Sequence, residues 1–526
     1  MSTADGSDTA FAVGEGLGAD EADGHPGDGP VRSPRVAIIG AGMSGIGMAA
    51  KLRLAGIESF QIYEKSDGVG GTWHANTYPG LTCDIPSRYY SYTFAPNPDW
   101  SHVYSPGREI WAYLDRVARD FELHDRIALR TEVTEARWVD GRWLLRTSNG
   151  DEAEYDFIIT AAGGLVHTVK PDIPGLGSFG GAVFHSAEWD HSVQLAGRRI
   201  AVIGTGSTGV QLTRALAPVA GQFELYQRTP QWILPLGNRR YSRLTRWVYR
   251  RFPVLNRFGY RVWQLQVERT LGRATVKPGF ARWWISTACR LHLRSVRDPE
   301  LRRRFTPDYK PMCKRLVMGT NFYRQFERQT VDLVDSGIDR IEPRGIVTRD
   351  GRLHELDVIV LATGFDAHAY MKPLDLVGPG GVRLSELWDG EPYGYRSVAL
   401  PGFPNVFTLL GPHSPIGNQS IFTVSETQMD FALALIRMWR RGEADAMWPT
   451  LGATEQFNAD LRDAVPDTIW ASGCKSWYIG KDGVPHPWPW TPERHREMLA
   501  APRLEEWEFA ASPAGATRGA RVGPTR

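Results

Sequence analysis

No apolar run in this 526-residue chain approaches the roughly 18 residues that a membrane-spanning helix needs. Charge of either sign is not in excess: 61 Lys and Arg face 59 Asp and Glu, a net of +2. That balance argues against a nucleic-acid partner recognised through bulk charge. Cysteine is scarce, and Cys83, Cys289, Cys313 and Cys474 are scattered. None forms a C-x-x-C pair, which excludes a disulfide reductase and makes a reduced, cytoplasmic setting the expectation. Residues 1–32 hold no Lys or Arg before Arg32 but carry Asp5, Asp8, Glu15, Asp20, Glu21 and Asp23. Such a segment buries too little apolar surface to offset its ordering entropy, and it lacks the basic start and apolar core of a signal peptide. Residues 511–526 read as a second loose tail.

Glycine and tryptophan, by contrast, are plentiful, at 55 and 19 residues. Glycines suit backbone approach to phosphates, and indoles suit large apolar pockets. The length is enough for two or three domains with real cores.

The glycines cluster in two fingerprints. Val36-Ala37-Ile38-Ile39 reads as a buried parallel strand, followed by Gly40-Ala41-Gly42-Met43-Ser44-Gly45 and a helix. A second strand ends at Glu64, the acid that accepts ribose hydroxyls in a dinucleotide site. Gly70-Gly71-Thr72-Trp73 then lets the chain pass a flat ring system that Trp73 can wall, which favours FAD here. The pattern returns at Ile200–Ile203, with Gly204-Thr205-Gly206-Ser207-Thr208-Gly209. There the second strand ends on Gln227-Arg228-Thr229 instead of an acid. Arg228 and Thr229 suit a ribose 2′-phosphate and hence NADPH; the alternative is that Arg228 is a solvated strand-end cation.

These elements predict an α/β fold with two Rossmann-like dinucleotide-binding domains, the second inserted in the first. The FAD domain is expected over 33–174 and 346–510, with Asp357–Val360 re-entering its sheet, and the NADP domain over 175–345. Residues 239–304 form a helical insert in which Arg and aromatic residues alternate: Arg246, Trp247, Arg250, Arg257, Arg261, Trp263, Trp283, Trp284. One reading is a membrane-surface or lid-forming insert. The preferred one is a set of amphipathic helices packed on the domain, with Arg stems over apolar surface.

Between the fingerprints, Phe179, Gly181, His185, Trp189 and Asp190 spell F-x-G-x-x-x-H-x-x-x-W-D. With Tyr78-Pro79-Gly80, Cys83-Asp84, Lys314-Arg315, Ala362–Asp366 and Cys474–Tyr478, this ordered set resembles the type I Baeyer–Villiger monooxygenases, class B flavoproteins, over about residues 34–505. Departures are Ala161-Ala162-Gly163, where the family has Ala-Thr-Gly, and His413, where relatives often carry a small residue or Asn. The resemblance implies that NADPH reduces FAD, that O₂ adds to give a C4a-peroxyflavin, and that a ketone becomes an ester or lactone. It implies Arg315 as the active-site cation and Asp84 as the acid that aims it, both also cofactor-binding, and Lys314 at the NADP ribose phosphate. Trp477 matches a mobile-loop residue reaching NADP. Ser44, Thr72, Tyr90, Val133 and Ile421 match positions touching FAD, and Phe179 to Asp190 match the segment coupling NADP binding to domain rotation. For His185 and Trp189 the alternative is a core pair where two linkers cross. No metal is implied. An S- or N-oxygenating flavoprotein and a non-catalytic flavin-binding redox sensor are the competing readings; Trp189-Asp190 with Arg315 argue against the first, and Asp84, Arg228 and Arg315 against the second.

Overall fold

The computed structural model describes residues 31–366, 369–389, 391–474, 479–480, 485 and 487–510. Two five-stranded parallel sheets organise them. In the first the order is Val406–Thr408, Phe157–Thr160, Val36–Ile39, Phe60–Tyr63, Ile127–Ala128. In the second it is Val331–Val334, Gln222–Tyr226, Arg199–Ile203, Val358–Leu361, Ala182–His185. The central strands Val36–Ile39, Phe157–Thr160 and Val358–Leu361 are buried throughout, as helix-covered parallel strands must be.

The strand Val358–Leu361 corrects one expectation. The sequence pattern puts it in the first sheet, yet it pairs with Arg199–Ile203 and Ala182–His185. A four-residue apolar strand fits either sheet, so its neighbours decide. Asp357 accepts from the Arg199 backbone N–H at 2.8 Å and from its guanidinium at 2.8 Å, which clamps the strand base to the second sheet. The first sheet is re-entered at Val406–Thr408, where the Asn405 side chain donates to the Asp156 carbonyl. The second sheet thus closes beyond the expected break at 345.

The insert is helical, over Arg243–Arg251, Pro253–Val267, Phe280–Arg294 and Pro299–Arg304. A second correction concerns cysteine. Cys313 and Cys474, 161 residues apart, are joined by a disulfide, while Cys83 and Cys289 are free and buried. Scatter along a chain carries no information about closeness in space. The bond ties the residue before Lys314-Arg315 to the residue that opens 475–478.

The first fingerprint helix, Met43–Leu54, packs on Ile421–Arg440 through small residues; a Cβ on Gly47 would lie 2.7 Å from Met429 and from Tyr92. In this packing Glu426 is buried and accepts from the Thr93 N–H at 2.7 Å and hydroxyl at 2.8 Å. Burial pushes its carboxyl up to about 7, against the opposing pull of Lys51. Between the ordinary carboxylate range and pH 7 the folded chain therefore keeps a proton that the unfolded chain releases. Stability falls as pH rises through this window, by up to roughly 1.4 kcal/mol per pH unit. Glu426→Gln keeps an acceptor for Thr93 and removes the titration. Its melting temperature is expected to gain on the unmodified protein from pH 5 to pH 7.5; parallel melting curves would refute this.

Candidate functional site

Each glycine turn is dictated by contacts that only glycine allows. Gly40 has φ +106°, and a Cβ on Gly45 would lie 1.8 Å from the Gly40 carbonyl oxygen. Gly204 repeats this at φ +118°, with a Gly209 Cβ 2.0 Å from the Gly204 oxygen. A Cβ on Gly42 would lie 3.5 Å from the Gly71 Cα, whereas a Cβ on Gly206 would point into open space. The helices that follow, Met43–Leu54 and Ser207–Leu216, start without a side-chain cap. Their first N–H groups and dipole ends thus suit a pyrophosphate in each cradle. Ser207 and Thr208 open the second helix.

Glu64 ends its strand buried, accepting from Ala41 N–H at 2.7 Å and from the Ser66 N–H and hydroxyl at 2.9 and 2.7 Å. A carboxylate has about four acceptor positions, which leaves it room for a ribose hydroxyl. The Thr131 N–H donates to the Glu64 carbonyl, so Val133 starts its strand close by. Ser44 faces inward to Ser425 at 3.0 Å. Thr72 is exposed at the head of the short helix Thr72–Ala75, and Trp73 meets Tyr90 edge-on at 5.7 Å. Tyr90 in turn meets Phe422 at 4.8 Å, next to Ile421.

Just before Ile421 lies a group that sequence reasoning missed. Both amide atoms of Asn418 and of Gln419, and the Ser420 hydroxyl, are buried without a hydrogen-bond partner. Unmade buried hydrogen bonds cost about 1–3 kcal/mol each, so three adjacent residues in this state fit a polar ligand that supplies the partners. The heteroatom-rich edge of an isoalloxazine has the required donors and acceptors. The available signal was a run of amide and hydroxyl residues directly before an apolar helix.

At the second nucleotide cradle Arg228 is exposed past its strand end, and Thr229 offers its carbonyl to the Thr205 hydroxyl at 2.8 Å. Lys314 holds its ammonium 4.5 Å from the Tyr309 ring centre. Burial, and then the nearby Arg228 charge, lower the Lys314 pKa against the pull of Asp308. Two cations close enough to repel each other form a site for an anion.

Arg315 Nη2 donates to Asp84 Oδ2 at 3.0 Å, with both side chains about a quarter to a third exposed. Asp84 comes from the first unit and Arg315 from the second. The loop bearing Asp84 rests on the second fingerprint helix: the Tyr78 hydroxyl donates to Gln211 Oε1 at 2.8 Å, and Gln211 Nε2 donates to the Thr82 carbonyl at 2.9 Å. Burial pushes the Tyr78 phenol up to about 12 and the Cys83 thiol well above its usual range, so neither ionises beside the pair near neutral pH.

The linker residues gather along the edge strand Ala182–His185. Phe179 packs on the second sheet's core, and a Cβ on Gly181 would lie 2.3 Å from the Asp357 oxygen. His185 is buried, its Nδ1 accepting from the Ala187 N–H at 3.1 Å, its ring 5.8 Å from Phe365; burial lowers its pKa. Trp189 meets Phe184 edge-on at 5.0 Å, and Asp190 accepts from the Ser192 N–H and hydroxyl. The next residue, His191, bonds Thr77 at 2.8 Å and so joins this segment to the Asp84 loop. Trp477 lies outside the described residues. A surface cavity of about 640 Å³ near Gly181, Arg199 and Asp357 sits at the wrong end of the second sheet, since nucleotides bind at the carboxyl ends of such strands. Among the described residues no His, Cys, Asp and Glu group could hold a metal, and no helix is long and apolar enough to cross a membrane.

Residues 33–273 match the family model described as flavin-binding monooxygenase-like. An uncharacterized monooxygenase of Mycobacterium tuberculosis is 53% identical, over 91% of this chain and 96% of its own. A Baeyer–Villiger monooxygenase of Pseudomonas aeruginosa is 36% identical, over 85% and 86%. The crystal structure of OTEMO in complex with FAD and NADP superposes with a TM-score of 0.81 at 28% identity, over 91% of this chain and 100% of the other.

Proposed function

Because this chain belongs to the family of flavin-binding monooxygenases that includes the Baeyer–Villiger monooxygenases, we propose that it uses FAD, NADPH and O₂ to convert a ketone into an ester or lactone. The observation that carries this reading is the 3.0 Å pair of Arg315 and Asp84, contributed by the two dinucleotide-binding units. When bound, FAD supplies oxygen activation and NADPH the hydride.

The chain's own residues supply position and charge. The Gly40–Gly45 and Gly204–Gly209 turns hold the two pyrophosphates, and Glu64 orients the first ribose. Asn418, Gln419 and Ser420 hydrogen-bond the flavin ring, while Trp73 and Tyr90 wall its side. Arg228, Thr229 and Lys314 hold the 2′-phosphate. A guanidinium keeps its charge at every working pH, and a fixed cation such as Arg315 beside the reacting oxygen stabilises negative charge there. Asp84 aims that cation through the 3.0 Å contact. The linker from Phe179 to Asp190 couples the two units through His191 and Thr77.

The test is a panel of linear, aryl and polycyclic ketones, with a thioether run in parallel. Ketone-stimulated NADPH consumption is expected, with a product heavier by one oxygen atom drawn from labelled O₂. Oxygenation of the thioether with all ketones returned unchanged would instead identify an S-oxygenase. A yellow protein that consumes no NADPH would identify a binding protein.

A further inference from the structure

The helix Pro253–Val267 packs Tyr260, Trp263 and Val267 on the core and still turns a second apolar face outward. Its apolar residues Val254, Leu255, Phe258, Val262 and Leu265 recur at helical spacing on one face, and that face is exposed, Val254 at 73% and Phe258 at 66%. Its buried residues include the polar Asn256, which accepts from Arg88, and Gln264, which donates to Glu268 at 3.1 Å. A surface helix of a water-soluble fold carries polar residues on its outer face. The neighbours also expose apolar side chains. Arg243–Arg251 exposes Leu244 and Trp247, and Phe280–Arg294 exposes Phe280, Trp283 and Trp284, which pack on one another at 5.6 to 6.5 Å. Among the described residues 12 of the 24 exposed large apolar side chains, including every exposed Trp, fall between Leu244 and Leu291.

Charge identifies what this surface would meet. Residues 239–297 carry fifteen Arg and Lys and a single acid, Glu268, in a chain whose net charge is only +2. Glu268 is buried and paired with Arg496, so it offsets nothing outside. Arg251, Arg257, Arg261 and Arg269 are exposed on or beside the apolar helix, and none forms an ion pair among the described residues. A second copy docked face to face would bring these like charges together, which disfavours self-association. A nucleic acid would neutralise the arginines but leave the apolar stripe in water. A bilayer with anionic headgroups satisfies both, taking Trp, Phe and Leu side chains at the acyl boundary and guanidinium groups at the phosphates.

We propose that the helical insert docks this protein on the surface of an anionic lipid bilayer, with the stripe Val254–Leu265 as its apolar anchor and the flanking arginines as its electrostatic one. This takes up the membrane-surface reading of the insert beside its packing role and is independent of which substrate the enzyme oxygenates.

The test is flotation of the full-length, FAD-loaded protein with vesicles of phosphatidylcholine alone or mixed with phosphatidylglycerol. Binding is expected to the mixed vesicles only, to weaken with salt, and to be accompanied by a blue shift of tryptophan emission. The triple variant Phe258→Ser/Val262→Ser/Leu265→Ser and the pair Trp283→Ser/Trp284→Ser are each expected to bind at least about tenfold more weakly with FAD content unchanged. Arg251→Gln/Arg257→Gln/Arg261→Gln is expected to lose the salt dependence as well. Absence of binding to mixed vesicles would overturn the proposal. So would equal binding of all variants, a dimer that the serine variants break, or capture by polyglutamate in place of vesicles.

Discussion

Arg315→Ala is expected to lower ketone oxygenation by roughly 100- to 1000-fold, the range seen when one preorganised donor to a developing anion is removed. The expectation follows from position. The guanidinium is fixed by Asp84 at 3.0 Å where the two units meet, so its charge needs no reorganisation when the reacting oxygen becomes negative. NADPH oxidation should persist in this variant and end in hydrogen peroxide, because Arg228, Thr229 and Lys314 remain to hold the nucleotide. Arg315→Lys keeps the charge but loses the planar guanidinium whose Nη2 Asp84 holds, and should recover only part of the loss. Asp84→Ala leaves the cation in place but unaimed, and a smaller drop of about 10- to 100-fold is expected from misplacement alone. Measuring product formation and peroxide release on the same samples separates these cases. Wild-type turnover of ketone by Arg315→Ala would end the assignment of a Baeyer–Villiger role to this cation.

What could be read in advance divides by how far apart the interacting residues lie in the chain. The glycine turns were legible because their constraint is local: the Gly45 Cβ position collides with the carbonyl of Gly40, five residues earlier. The strand Val358–Leu361 was recognisable as a strand but not assignable to a sheet, since the clamp from Asp357 to Arg199 spans 158 residues. The disulfide was hidden in the same way. Asn418, Gln419 and Ser420 were missed for another reason. Polar side chains read as solvent-facing, and only their burial without partners marks them as ligand-facing. The insert shows a different limit. Its amphipathic spacing was plain, but periodicity alone does not say which face turns inward, and in Pro253–Val267 the polar side chains Asn256 and Gln264 are among those buried.

The nucleotide preference gives the second large effect. Arg228→Ala is expected to raise KM for NADPH by about 10- to 100-fold, the value of one or two charge-assisted hydrogen bonds to a phosphate. KM for NADH, which lacks that phosphate, should hardly move. Lys314→Ala should act in the same direction. The double variant should exceed the product of the single effects, because the two cations are coupled. Arg228 helps depress the Lys314 pKa, so its removal lets Lys314 hold its proton more firmly and compensate in part. The sign carries over to pH. A lysine with a lowered pKa loses its charge as pH rises earlier than a free lysine does. KM for NADPH in the unmodified enzyme should therefore climb on the alkaline side, and in Arg228→Ala the climb should begin at higher pH. If Arg228→Ala leaves the ratio of NADPH to NADH use unchanged, the residue is a solvated strand-end cation and selectivity lies elsewhere. If the ratio changes but the alkaline limb does not shift, the two cations act on the phosphate separately.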